Sequence, residues 1–199
     1  MKARAEALDS RASAILEFWF GAVGSPEAGT ERKLWWKKKP AFDAQISERF
    51  GAVLEEAQSG GLREWERTPS GALALIVLLD QFSRNCYRHT PRAFAGDERA
   101  LALAKALVDS GDDLRLADAY HRAFAYMPFE HDERMESQLR AVELFGKLEQ
   151  EEGVTSFHES AMKHAEIIER FGRFPHRNRI LGRPTTKEEE TWLMTRGGF

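Results

Sequence analysis

"TPSGALALIVLLDQFSRN", residues 68–85, reads two ways. By composition alone, the apolar run up to Phe82 fits a buried strand. Its length, its alanines and leucines, and its Thr68-Pro69 start favour a buried helix instead. Thr68 is a suitable cap for that helix, and Pro69 suits its first turn. With this run helical, no convincing pair of strands is left, and the sequence predicts an all-α protein.

Outward from this run, apolar spacing predicts about eight helices in antiparallel pairs. They cover residues 3–20, 42–58, 69–82, 98–109, 114–126 and 131–151, a helix from Thr155 or Ser156 to Gly172, and a last one from near Thr186. Gly60, Gly61, Gly111 and Gly172 read as stops, and Pro128 reads as the cut that ends the 114–126 helix. Residues 83–95 read as an irregular connection, and 21–40 as an excursion on one domain. The paired rhythm suits a tetratricopeptide-repeat-like helical array or a compact irregular bundle. No linker interrupts residues 1–199, so a single all-helical domain is expected.

The chain has 199 residues, 42% hydrophobic and 31% charged, enough for one core. Thirteen phenylalanines and five tryptophans belong mostly in that core. A net charge of -3 disfavours a broad duplex-binding face. Cys86 is the single cysteine, which rules out a disulfide framework within the chain and a cysteine-rich zinc site. The longest apolar run, "ALALIVLL" at 72–79, is too short to span a bilayer, and the N-terminus has no signal-peptide core. A cytoplasmic protein is expected.

Three polar segments stand out. In "LLDQFSRNCYRH", residues 78–89, Asp80 and Arg84 share a helix face, and Arg84 and Asn85 offer a charged fork and an amide donor. In "YMPFEHDERMES", residues 126–137, His131, Asp132, Glu133 and Glu136 cluster near an expected helix start. Such acids stabilise a helix N-terminus, while His131 with Glu133 suits an acid/base pair. In "ERFGRFPHRNRILGR", residues 169–183, five arginines lie among Phe171, Phe174 and Ile180. Gly172 and Pro175 make this a corner after a helix, and His164 lies just upstream on an apolar face. The charge needs either the protein's own acids or an anionic ligand.

"ILEFWFG" at 15–21, "LWWKK" at 34–38, "DQFSRN" at 80–85, "MPFEHDE" at 127–133 and "FGRFPHRNRILGRPTTKEE" at 171–189 together resemble the bacterial domain-of-unknown-function family 924. The resemblance covers nearly the whole chain. Asp132 stands where serine is common in the family. The resemblance implies an all-helical fold similar to tetratricopeptide-repeat proteins and assigns no activity. Its typical polar positions fall here on Asp80, Arg84, Asn85, His131, Glu133, His164, Arg173, His176, Arg177, Asn178 and Arg183.

The leading functional expectation is a binding module. Arg84, Asn85, Arg173, His176, Arg177, Asn178 and Arg183 would take a small anionic group or a peptide carboxylate, with Trp35, Trp36 or Phe174 adding contact. The alternative is an enzyme acting on a small anionic substrate, with His131, Glu133, His164 and His176 as the acid/base residues. A small-footprint RNA site is a third class, disfavoured by the net charge. No metal or nucleotide-cofactor motif occurs, and Cys86 is expected to be a buried thiol. Nothing in the sequence sets an oligomeric state.

Overall fold

The central run is helical, as Thr68 and Pro69 imply. In a computed structural model that describes residues 8–196, the Thr68 hydroxyl accepts the Gly71 N–H at 3.1 Å, capping a helix that begins at Pro69. We label the helices α1 Ser10–Phe20, α2 Pro40–Gln58, α3 Pro69–Ile76, α4 Ser83–Cys86, α5 Asp97–Ser110, α6 Ala119–His131, α7 Met135–Glu152, α8 Ser156–Phe171 and α9 Lys187–Arg196. A wider π-helical turn, Val77–Phe82, joins α3 to α4 without a break, so the described residues form eight helical rods. No strand occurs among the described residues.

Every residue from Ala72 to Asp80 is buried. That explains the continuous apolar run: the rod is covered on all sides. α1, α2, α5 and α6 pack around it, and α6, α7 and α8 follow one another as stacked neighbours. The centre is therefore the compact-bundle alternative, because a strict solenoid contacts only adjacent repeats. Three-residue links between α6, α7 and α8 turn the chain back at each step. Trp19, Phe82 and Phe124 form part of the main core, and a smaller cluster gathers Ile167, Ile168, Phe174 and Trp192.

Several boundaries differ from the sequence reading. Pro128 does not end its helix; α6 runs through it to His131. Residues 122–130 are all buried there, and packing outweighs the missing backbone donor. His131 consequently lies in the last turn of α6, not at the start of the next helix, which begins at Met135. Gln138 Nε2 donates to the Glu130 carbonyl at 2.7 Å and helps satisfy the open end of α6. The helix of the central rod also continues to Cys86, into the stretch read as irregular. The expected start of the first helix at residue 3 lies outside the described residues. α9 begins with a reciprocal cap. Glu189 N–H donates to Thr186 Oγ1 at 3.2 Å, and Thr186 N–H donates to Glu189 Oε2 at 2.7 Å.

Gly96 fixes how α5 meets the central rod. A Cβ at this position would lie 2.6 Å from the Leu79 carbonyl oxygen, inside contact distance with backbone. Gly96→Ala should lower unfolding free energy by about 1–3 kcal/mol in denaturant melts, as overpacking does. An unchanged midpoint would contradict this packing.

Candidate functional site

The π turn carries Asp80 into the interior, where its residue has no solvent exposure. Three side chains meet the carboxylate. His131 Nδ1 lies 2.7 Å from Oδ1, Arg84 Nη1 lies 3.0 Å from the same oxygen, and Gln81 Nε2 donates to Oδ2 at 2.6 Å. Burial alone would raise this carboxyl, but Arg84 and His131 hold it well below the usual carboxylate range. Arg84 also grips Asp97, at the start of α5, through bonds of 2.8 and 3.0 Å. Gly96 allows Asp97 to stand this close to the rod.

A second histidine–carboxylate pair lies alongside. His164 Nδ1 on α8 is 2.7 Å from Glu130 Oε1 on α6, and Ser160 Oγ donates to that oxygen at 2.7 Å. The His131 and His164 ring centroids are 6.5 Å apart. Glu130 and His131 are adjacent in α6, so one helix end orients both rings.

The corner after α8 completes the site. Gly172, with φ of 66°, ends α8 in the left-handed conformation, and Pro175–Arg177 form a short 3-10 turn. Phe174 is fully buried beneath it, so the exposed aromatic contact expected of Phe174 is not made. Arg177 is also buried, with its guanidinium 4.6 Å from the Phe174 ring centre and 4.9 Å from that of Phe94. Its nearest ion-pair contact is long, 3.9 Å to Asp97 Oδ2, and its Nε is buried without a hydrogen-bond partner.

Together these groups line a cavity of about 250 Å³. Arg84, His131, His164, His176 and Arg177 all face it, as do Lys38, Arg88 and His89. Its wall carries no carboxylate residue; the acids Asp80, Asp97 and Asp43 stand behind the arginines. His89, with φ of 63°, holds an uncommon backbone conformation in this wall. A larger hollow of about 520 Å³ lies elsewhere, between α5 and α7 residues such as Lys105 and Glu136, and brings together none of these groups.

The remaining sequence candidates serve the frame of the corner. Glu133 does not pair with His131; it accepts two bonds from Arg183, at 2.6 and 2.9 Å, and the Phe174 N–H at 2.8 Å. Burial raises the Glu133 carboxyl, and Arg183 with the Phe174 N–H brings it below its ordinary value. Arg173 forms a fork on Glu189 at 2.7 and 2.9 Å. Asn178 also reaches Glu189, at 3.3 Å, and accepts from Arg183 Nε at 3.0 Å. Arg173 first, then the Thr186 N–H and Asn178, lower the Glu189 carboxyl to about 2 despite partial desolvation. Asn85 donates to Asp43 at 2.7 Å, steadying the carboxylate that holds Arg88 at 2.6 and 2.9 Å.

Asp97, Glu130, Phe94 and Arg88 carry no site signal in the sequence, where Asp97 reads only as a cap for the 98–109 helix. Glu130 precedes His131, but nothing in spacing ties Asp97 or Phe94 to a site. Cys86 is half-buried and does not line the cavity; burial, then Asp43, raises its thiol to about 11. Among the described residues, no group of three or more His, Cys, Asp or Glu side chains is placed to hold a metal ion. No described helix is long and apolar enough to cross a membrane.

Burial, then Arg177 and His164, pushes the His176 imidazole from 6.5 down to about 4. The folded state thus binds this proton less readily than the unfolded chain. The associated stability is complete above about pH 6.5 and is lost as pH falls toward about 4. Melting curves across this window should show the wild type losing more stability than His176→Gln; parallel losses would contradict the assignment.

The sequence profile of a family described as "Bacterial protein of unknown function (DUF924)" matches residues 15–197. A solved structure, that of the protein of unknown function ATU0120 from Agrobacterium tumefaciens, superposes with a TM-score of 0.79 at 37% identity. The match covers 92% of this chain and 96% of that one. No curated protein matches the chain.

Proposed function

The chain belongs to the DUF924 family of bacterial proteins, and on that premise we propose that it binds a small anion, a phosphate or carboxylate group, in the cavity beneath the arginine corner. The observation that carries this reading is Arg177. A buried guanidinium with a buried, unpartnered Nε and, among the described residues, no acid closer than 3.9 Å lacks the compensation that buried charges require. Burial, then repulsion from Arg84, lowers it only to about 10, so it stays charged at neutral pH. An anion in the cavity supplies the missing partner, with Arg84 and the histidines offering further donors.

The division of labour among the arginines favours a small ligand over an RNA backbone. Arg170, Arg173 and Arg183 are closed onto Glu188, Glu189 and Glu133. Of the other two arginines in the stretch, Arg179 is exposed and Arg177 lines the cavity, so a single guanidinium, not a basic strip for many phosphates, faces the proposed ligand from this corner. The carboxylate end of a peptide fits the same chemistry. The reading also takes the α6–α8 stack as a tetratricopeptide-like pairing and places the protein in the cytoplasm.

Isothermal titration with inorganic phosphate and with acetate tests the proposal. At least one should bind the wild type saturably. Arg177→Met keeps the apolar stem between the two rings and should retain the fold while weakening binding roughly 10- to 100-fold, the worth of about 1.5–3 kcal/mol in hydrogen bonds to a charged group. Arg173→Met should lower the melting temperature and leave affinity within a few-fold. Absence of binding, or equal affinity losses in the two variants, would remove the proposal.

A further inference from the structure

The cavity holds two histidines whose carboxylate partners differ in charge balance. His131 Nδ1 is 2.7 Å from Asp80 Oδ1. His164 Nδ1 is 2.7 Å from Glu130 Oε1 and 3.0 Å from the Ser160 carbonyl oxygen. Carboxylate and carbonyl oxygens only accept, so each ring carries a proton on Nδ1, and proton exchange with a reactant falls to Nε2.

Asp80 already has a cation in Arg84, at 3.0 Å, so a neutral His131 satisfies it. Glu130 has no arginine or lysine among its described partners. It accepts from Ser160 Oγ at 2.7 Å, and its Oε2 is buried without a hydrogen-bond partner. The cation that can balance Glu130 at contact distance is His164 itself in its protonated form. One ring is thus arranged to take a proton and its neighbour to give one, 6.5 Å apart between centroids. Arg84 and Arg177 line the same space.

We infer that this cavity hydrolyses a small phosphate monoester, with His131 as general base and His164 as general acid. The inference rests on the anion-binding reading and adds a reaction to it. Water is the co-reactant. Its oxygen forms a bond to phosphorus while His131 Nε2 takes its proton. The bond from phosphorus to the ester oxygen breaks, its electron pair stays on that oxygen, and His164 Nε2–H protonates it. The products are an alcohol and inorganic phosphate. The proton gained by His131 and the one lost by His164 are rebalanced through solvent, and nothing is oxidised or reduced. Arg84 and Arg177 hold the phosphoryl oxygens, the electrostatic part of such a transfer. A volume of about 250 Å³ suits a phosphoryl group on a small alcohol.

The test measures hydrolysis of phenyl phosphate and p-nitrophenyl phosphate, with calorimetric binding of inorganic phosphate recorded separately. The proteins are the wild type, His131→Asn and His164→Asn; asparagine keeps a donor near the position of Nδ1. The wild type should cleave both esters and, in ¹⁸O-water, place one heavy oxygen in each phosphate released. His131→Asn should lose roughly 100-fold or more in kcat on both esters, the usual worth of a general base. His164→Asn should lose as much on phenyl phosphate but less than about tenfold on p-nitrophenyl phosphate, whose phenolate leaves without a proton. Both variants should still bind phosphate saturably through Arg84 and Arg177, weakened roughly tenfold by the loss of one donor. Phosphate binding by the wild type without cleavage of either ester would overturn the reaction and leave the binding site standing. No binding of phosphate or of acetate and no cleavage would overturn both. Equal losses on the two esters in His164→Asn would overturn its role as the acid. The wild-type turnover and isotope results decide the reaction even if a variant fails to fold.

Discussion

A carboxylate with no access to water sits in the middle of the central rod, and the site is built around satisfying it. Removing an ionised group from water costs several kcal/mol unless close partners replace the solvent. Asp80 finds those partners in Arg84 on its own rod and His131 at the end of α6, with Gln81 beside it. That requirement ties the end of α6 to the rod. Arg84 then carries the connection to Asp97 at the start of α5. The π turn, which departs from regular α-helical geometry at this point, is where the rod holds the acid.

The arginine corner follows a different logic. Much of its charge is spent on architecture: Arg183 clamps Glu133 and the Phe174 carbonyl, and Arg173 clamps Glu189, which also caps α9. These pairs hold the corner over α8 and bury Phe174. Arg177 rides on that frame, stacked between two aromatic rings with only a long contact to Asp97. The acids and the cavity therefore divide one basic stretch between structure and the proposed ligand.

The all-helical class was legible because its signals are local: a Thr-Pro start at residue 68, glycine stops at 111 and 172, and apolar stripes of helical period. The course of α6 was not legible, because Pro128 is a breaker by local rules and only the burial of its neighbours shows why the helix continues. At the site, the unusual chemistry of Arg84, His131, His164, His176 and Arg177 marked them, and the fold brings all five to one cavity. Their assignments to partners were hidden. Arg173 and Arg183 find their acids 16 and 50 residues away, and His131 finds Asp80 at a separation of 51. Pairings at such distances follow from helix packing, which spacing along the chain does not encode. The expected pairing of His131 with neighbouring Glu133 failed for that reason.

Six histidines provide a direct readout of the cavity. His89, His131, His164 and His176 line it, whereas His121 stacks on Phe20 and His158 pairs with Glu149. The decisive measurement is an NMR titration of the imidazole resonances with inorganic phosphate and separately with acetate, at least one of which should bind. Resonances of His131, His164 and His176 should move together along one saturable curve, while those of His121 and His158 stay fixed. No movement, or equal movement of all six, would contradict an anion site beneath Arg177.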